Sequence, residues 1–452
     1  MRWGRWPRLW LSFRERVDRR TYLLHGAGLM LFKYGVDAAV VWAFTHRLWT
    51  PLTYLNPVWT LREELLRGGP TWLAPALVVW TLPFLWIGVS MTARRAVDAG
   101  ASPWVCLLFF VPVVNYGLML LLSLLPSRAI GVGPGAPQNA VVQRFRAGLL
   151  GVAAALAITI PTVLIGVYLR RMYSAGLFLG TPFTIGYISA YVFNARGVQS
   201  ERQTLEVAFL AVALAGGAML VFALEGAVCI ALAFPIAVLL ALPGALIGRA
   251  VALRRVGPPR AGLAALLAPL VVLASPPQSA PSHEVVTAVE IDAPPAVVWR
   301  HVVTFPELPP PREWLFRAGV AAPLHARIEG TGVGAVRYCD FTTGSFVEPI
   351  TVWEENRRLG FDITAQAPPM REWSPYRGVN PPHLAGYFRA THGEFRLVAL
   401  PGNRTRLEGR TRYVVDMFPQ TYWTLPADGL VAMIHARVLR HIKAVAEEGD
   451  HS

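Results

Sequence analysis

The sequence predicts two unlike halves: an α-helical polytopic membrane region, then a water-soluble α+β domain whose curved antiparallel sheet surrounds a long C-terminal helix. Three observations lead there. Of 452 residues, 54% are hydrophobic and only 15% charged, too apolar for an average soluble chain. The apolar residues cluster before residue 275 in runs close to the ~20 residues that cross a bilayer core. After residue 285 the pattern changes to short stretches that alternate every second residue, closed by one helical stripe.

The start, MRWGRWPRLWLSFRERVDRR, has no apolar core or small-residue cleavage site and does not read as a signal peptide. Trp3, Trp6, Trp10 and Phe13 among its arginines predict that segment 1–22 lies in the membrane interface. Runs 71–92, 103–125, 147–169, 204–224 and 226–248 read as crossings, while 23–44, 175–195 and 261–275 are more polar or shorter. The total is seven or eight crossings. They divide into a first membrane unit, 23–126, a Gly- and Pro-rich linker, 127–143, and a second unit, 144–275. Within the second unit, Glu225-Gly226 predicts the turn of a helical hairpin, with Pro235 and Pro243 kinking its second arm.

A Pro- and Ser-rich spacer, 276–284, precedes the soluble domain, 285–448. VVTAVEI at 285–291 alternates as a strand, and APPAVVWRHVV at 293–303 opens a helix with prolines near its first turn. Further strands are expected within 332–344, 345–355, 358–366, 387–400 and 404–417. From about Thr421 to Glu448, Trp423, Ala427, Leu430, Ile434, Val438, Ile442 and Val445 form one stripe of a long helix. A curved sheet gripping such a helix leaves a cavity between them. Arg337, Glu348, Glu394, Tyr413 and His435 are the polar candidates to face it as ligand-binding residues. Arg337 and Glu348 alternate with apolar neighbours on adjacent strands, so a buried pair is expected.

The net charge of +14 sits largely in arginines flanking apolar runs, where basic residues are retained at the membrane. No groove of interleaved aromatic and basic residues suggests nucleic acid as a partner. Cys106, Cys229 and Cys339 offer neither a disulfide framework nor a metal spacing, and His383, His392, His435 and His441 do not supply one either. No catalytic signature and no cofactor motif is present. Within the membrane region the polar candidates are Lys33 with Asp37, four apart on one helix face, and Arg94, Arg95 and Asp98 in a short turn, with Arg94 pairing Asp98. Glu225 at the hairpin tip is a carboxylate whose pKa burial would raise.

Two resemblances follow from quoted residues. The soluble domain resembles the SRPBCC superfamily of START-type, pollen-allergen and polyketide cyclase/dehydrase proteins through V-x-I-x-A-P-P-x-V-V-W at 289–299, G-V-G-A-V-R at 332–337, E-P-I at 348–350, T-x-L-E-G at 405–409 and the final helix. That resemblance implies the helix-grip fold and a cavity for hydrophobic or lipid-like molecules; only some relatives are enzymes. Residues 13–126 resemble a bacterial inner-membrane family, domain of unknown function 805, through Arg94, Arg95, Asp98, Gly100, Ser102 and Trp104, although Val97 stands where the family usually has histidine. It implies a multi-pass protein of the bacterial inner membrane. The resulting expectation is a non-catalytic sensor or carrier whose partners are membrane lipids and a hydrophobic small molecule. The alternatives are a membrane-tethered cyclase or dehydratase using Glu348 and His435, and a transporter using Lys33, Asp37 and Glu225.

Overall fold

A computed structural model describes residues 6–11, 13, 17–55, 65–110, 114–127, 137–195, 197–221, 224–254, 280–374 and 381–448. Among the described residues, six helices are long and apolar enough to cross a membrane: Arg19–Thr45, Leu73–Asp98, Val142–Leu169, Gly176–Asn194, Glu201–Leu220 and Ala227–Leu253. The two more polar runs, 23–44 and 175–195, are thus among them, whereas run 103–125 is not. It folds as a 3-10 helix, Pro103–Phe110, and an eleven-residue helix, Val114–Leu124, which at 1.5 Å per residue reaches only about half of a ~30 Å core. The candidate crossing at 261–275 lies outside the described residues. Helix Pro137–Val163 begins inside the segment read as a linker.

In the first unit, Arg94, Arg95, Asp98 and Gly100 of the RRxxDxGxSxW pattern make contacts at the end of helix Leu73–Asp98. Arg95, and not Arg94, pairs with Asp98, at 2.6 Å and with both side chains fully buried, because residues three apart share the inward face here. Arg95 Nε also donates to the Leu122 carbonyl at 2.8 Å, tying two helix ends together. Arg94 donates to the carbonyl of Ser90 at 3.0 Å and to that of Leu9. Gly100, at φ 78°, closes the helix: Ala101 N–H reaches the Ala96 carbonyl at 2.8 Å and Gly100 N–H that of Val97 at 3.0 Å, the two bonds of a Schellman motif. Phe13 is buried, edge-on to Trp86 at 5.8 Å, so part of the N-terminal segment packs on the bundle.

In the second unit, backbone meets backbone where helix Thr181–Asn194 crosses helix Ala227–Leu253. A Cβ on Gly186 would stand 1.9 Å from the Ala241 carbonyl oxygen, and one on Gly244 2.2 Å from that of Phe183. Such close approach is how helices associate in lipid, where dispersion and not water drives packing. Glu201–Val221 and Ala227–Leu253 form the expected hairpin around Glu225-Gly226. The second arm, 27 residues, is about 40 Å long, long enough to span a bilayer core, with Pro235 and Pro243 inside it.

The C-terminal domain is a seven-stranded antiparallel sheet in the order β1-β7-β6-β5-β4-β3-β2, with β1 Ser282–Ile291, β2 Pro323–Glu329, β3 Val336–Phe341, β4 Gly344–Glu354, β5 Arg358–Asp362, β6 Phe388–Leu400 and β7 Arg404–Val415. β2 is the strand the sequence did not reveal. Pro294 caps helix Pro295–Val303 and Pro295 opens it, where a missing N–H costs nothing. Helix Gln420–Glu448 lies along the sheet. Ile291, Val298, Trp299, Ile350, Leu359, Leu407, Leu439 and Ile442 join sheet and helices in one core. This is the helix-grip architecture.

Candidate functional site

Strand register sets the interior of the domain. Arg337 on β3 stands opposite Glu348 on β4, and the two form a buried ion pair. Three phenylalanines surround the guanidinium, its carbon lying 5.5 Å from the Phe305 ring centre, 5.3 Å from Phe361 and 5.5 Å from Phe395. Burial pushes the Glu348 carboxyl above its usual range, and the adjacent Arg337 pulls against it. His435 accepts from or donates to Thr411 Oγ1 through Nε2 at 2.7 Å, and its Nδ1 has no hydrogen-bond partner among the described residues. Burial holds its pKa down at about 4. Glu394 pairs with Arg358 at 2.8 Å.

Arg337, Glu348, Glu394 and His435 line one shared hollow, but its volume is only about 110 Å³. Ligand pockets run to roughly 300–1,000 Å³. The interior that the alternation predicts is therefore present, and the aromatic side chains around the ion pair have filled most of it. Tyr413 stands apart: fully buried, it bonds Asp428 and stacks on Phe388 at 5.3 Å.

Two larger cavities lie elsewhere, one of about 980 Å³ within the membrane region beside Trp104, Phe145 and Phe209 and the other at the seam. A chamber of about 1000 Å³ lies where the second membrane unit meets the domain. Its membrane walls include Val163, Ile185, Met219 and Ala233, and its domain walls include Met370, Val415, Trp423, Ala427 and Met433. Arg317 is the one arginine or lysine in its described lining, and Trp314 and Trp373, 71% and 68% exposed, mark an open rim. Phe388 borders both the chamber and the smaller hollow. Backbone bonds fasten the seam: Ala227 N–H to the Trp373 carbonyl at 2.9 Å and Phe418 N–H to that of Tyr173 at 3.0 Å. The first of these satisfies an N–H that a helix N-terminus otherwise leaves unpaired.

A cluster of four donors sits on the chamber wall. Glu225 and Cys229 come from the hairpin, Glu372 and His383 from the domain, and one donor atom of each lies within 4.8 Å of the others. Glu225 precedes the helix and Cys229 lies one turn on, so both face the docked domain; His383 is held in a 3-10 turn, Pro382–Leu384. Cys229 Sγ is 3.0 Å from His383 Nε2 and donates to Glu372 Oε1 at 2.8 Å. His383 Nδ1 is 3.5 Å from Glu225 Oε2 and 3.3 Å from the Tyr173 hydroxyl. Burial raises Glu225 to about 7, with the His383 imidazole drawing it down and Glu372 adding to the rise; burial and the Glu225 charge push Tyr173 far up, keeping it neutral. A cysteine beside a histidine can serve as a nucleophile, but here a second carboxylate faces the sulfur and opposes a free thiolate.

Sequence reasoning singled out Glu225 alone of these four. The four-residue step from Glu225 to Cys229 was visible; nothing in sequence joined it to Glu372 and His383. Lys33 and Asp37 do pair, with the Tyr54 hydroxyl donating to the same carboxylate, but in the first membrane unit, held by partners other than those of Glu225.

Residues 10–133 match the family described as "Protein of unknown function (DUF805)". No curated protein matches the chain. Similar solved structures include a point mutant of norcoclaurine synthase from Thalictrum flavum, 12% identical, covering 38% of this chain and 99% of that one at a TM-score of 0.27. An aromatase/cyclase from Streptomyces sp. R1128 is 16% identical over 37% and 95% of the two chains, TM-score 0.25. A protein from Nitrosospira multiformis is 15% identical over 38% and 100%, TM-score 0.25. Likeness at this level carries nothing about activity.

Proposed function

We propose that this multi-pass membrane protein holds an apolar or amphipathic, lipid-like molecule in the chamber between its membrane helices and its helix-grip domain, as a non-catalytic sensor or carrier. The observation that carries this reading is the contrast between about 1000 Å³ at the seam and about 110 Å³ inside the domain. An acyl chain entering from the bilayer would exchange lipid contacts for the chamber's apolar walls, while Arg317 at the rim would meet an anionic head group. Trp314 and Trp373 beside it suit the membrane–water boundary. Membrane lipids are thus the proposed partners, and the inner membrane of a bacterium the proposed location, on the strength of the DUF805 resemblance. Glu348 and His435 as an acid–base pair have less support, since a polyketide-sized substrate does not fit the hollow they line.

Gly429 offers the test. It lines the chamber, and a Cβ there meets nothing within 4 Å, so Gly429→Phe fills space without backbone conflict. Native mass spectrometry of the full chain released from bilayer nanodiscs is expected to find lipid-sized adducts on the wild type and a loss of at least tenfold in the variant. Equal occupancy of the two proteins would sink the reading.

A further inference from the structure

The cluster on the chamber wall is not used by a lipid-holding role. We propose that Cys229, His383 and Glu372 ligate one divalent transition-metal ion of the zinc class, with Glu225 positioning the histidine, so that membrane hairpin and helix-grip domain share a metal site.

Geometry supports the donor set. Cys229 Sγ, His383 Nε2 and Glu372 Oε1 form a triangle with sides of 3.0, 2.8 and 3.4 Å. Around zinc, bonds of ~2.3 Å to sulfur and ~2.0–2.2 Å to nitrogen or oxygen give tetrahedral edges of roughly 3.3–3.7 Å. Outward movement of about half an ångström admits the ion. The second imidazole nitrogen lies between the Tyr173 hydroxyl at 3.3 Å and Glu225 Oε2 at 3.5 Å, so a small shift would give Glu225 the place of the outer carboxylate that fixes a metal-bound histidine.

Charge supplies an independent argument. The Glu372 side chain is 0% exposed, and its Oε2 has no hydrogen-bond partner among the described residues. No described lysine or arginine pairs with Glu225 or Glu372; each has only His383 as an ion-pair partner. Two carboxylates and a thiol facing one another in a largely apolar wall are stabilised by a cation, since a buried charge without a counter-charge is costly. Space is reserved as well: a Cβ on Gly226 would stand 1.6 Å from Glu372 Oε2, so glycine is what lets that carboxylate approach the helix start. One sulfur, one imidazole and one carboxylate select zinc or its neighbours over magnesium or calcium. An ion held there would clamp the N-terminus of helix Ala227–Leu253 to the segments carrying Glu372 and His383.

The experiment uses the full chain in detergent, stripped with a chelator and titrated with Zn²⁺ and Co²⁺. The expected result is one Zn²⁺ per chain, and a cobalt spectrum with strong visible tetrahedral bands and a thiolate-to-cobalt charge-transfer band in the near ultraviolet. Cys229→Ser should abolish that charge-transfer band, His383→Gln should lower affinity at least tenfold, and Glu225→Gln should lower it about 10–100-fold as for an outer partner. A wild-type cobalt spectrum without thiolate charge transfer overturns the assignment and depends on no variant folding. A band that persists in Cys229→Ser overturns it too, because the sulfur would then be Cys106 or Cys339.

Discussion

Arg337 is the charged side chain around which the interior of the helix-grip domain closes. Its guanidinium meets Glu348 and three phenyl rings, so removing one partner strands the other charge in an apolar setting. Arg337→Met should cost about 3–5 kcal/mol, whereas the double change Arg337→Met with Glu348→Leu should recover most of it; denaturant unfolding of the solubilised protein measures both. His435 gives a pH dependence. Its folded-state pKa, about 4, lies below the ordinary 6.5, so as pH falls the unfolded chain takes up the proton first. Its contribution is complete above about pH 6.5 and declines towards pH 4, by up to about 3 kcal/mol. His435→Gln should flatten thermal stability across that window, and an unchanged slope would assign it to other groups. The Arg337–Glu348 couple was legible in sequence because strand alternation and the need to pair buried charge act locally. The Glu372–His383 contribution was not, since it arises only when two distant segments dock.

Elements were legible where their periodicity was long and uninterrupted. The terminal helix and β1, β4, β6 and β7 fall close to the expected limits, and both helices of the Glu225 hairpin were expected. Strand β2, Pro323–Glu329, was missed because seven residues starting at a proline carry too little alternation. Run 103–125 shows a 3-10 helix, Pro103–Phe110, and a short helix, Val114–Leu124, among its described residues, a difference in local geometry that composition does not register. Helix crossing is likewise set by residues that hydropathy ignores. Gly244→Val would drive a side chain against the Phe183 carbonyl, and should cost about 1–3 kcal/mol or more. Gly217→Val, where a Cβ meets nothing within 4 Å, is the control expected to leave the melting temperature within a degree or two of wild type. Equal losses in both would mean that the crossing is looser than the contact implies.

At the scale of the whole molecule, the proposed lipid site needs both halves, since each contributes part of the chamber lining. Sequence distinguishes a helical membrane region from a helix-grip domain, but it locates the hollow within that domain. The seam between them was illegible because each half contributes residues that, read alone, pass for ordinary core: Met219 and Ala233 on one side, Trp423 and Met433 on the other. Docking by backbone bonds from Ala227 to Trp373 and from Phe418 to Tyr173 leaves those faces unfilled. The most direct measurement is photo-crosslinking of a diazirine-bearing fatty acyl lipid in bilayers containing the full chain, with labelled residues mapped by peptide mass spectrometry. Labels on Val415, Trp423 and Met433, domain residues that bulk lipid reaches only through the chamber, are the expected result. Labels confined to outward membrane positions such as Leu239, or found on Phe361 and His435 inside the cup, would contradict it.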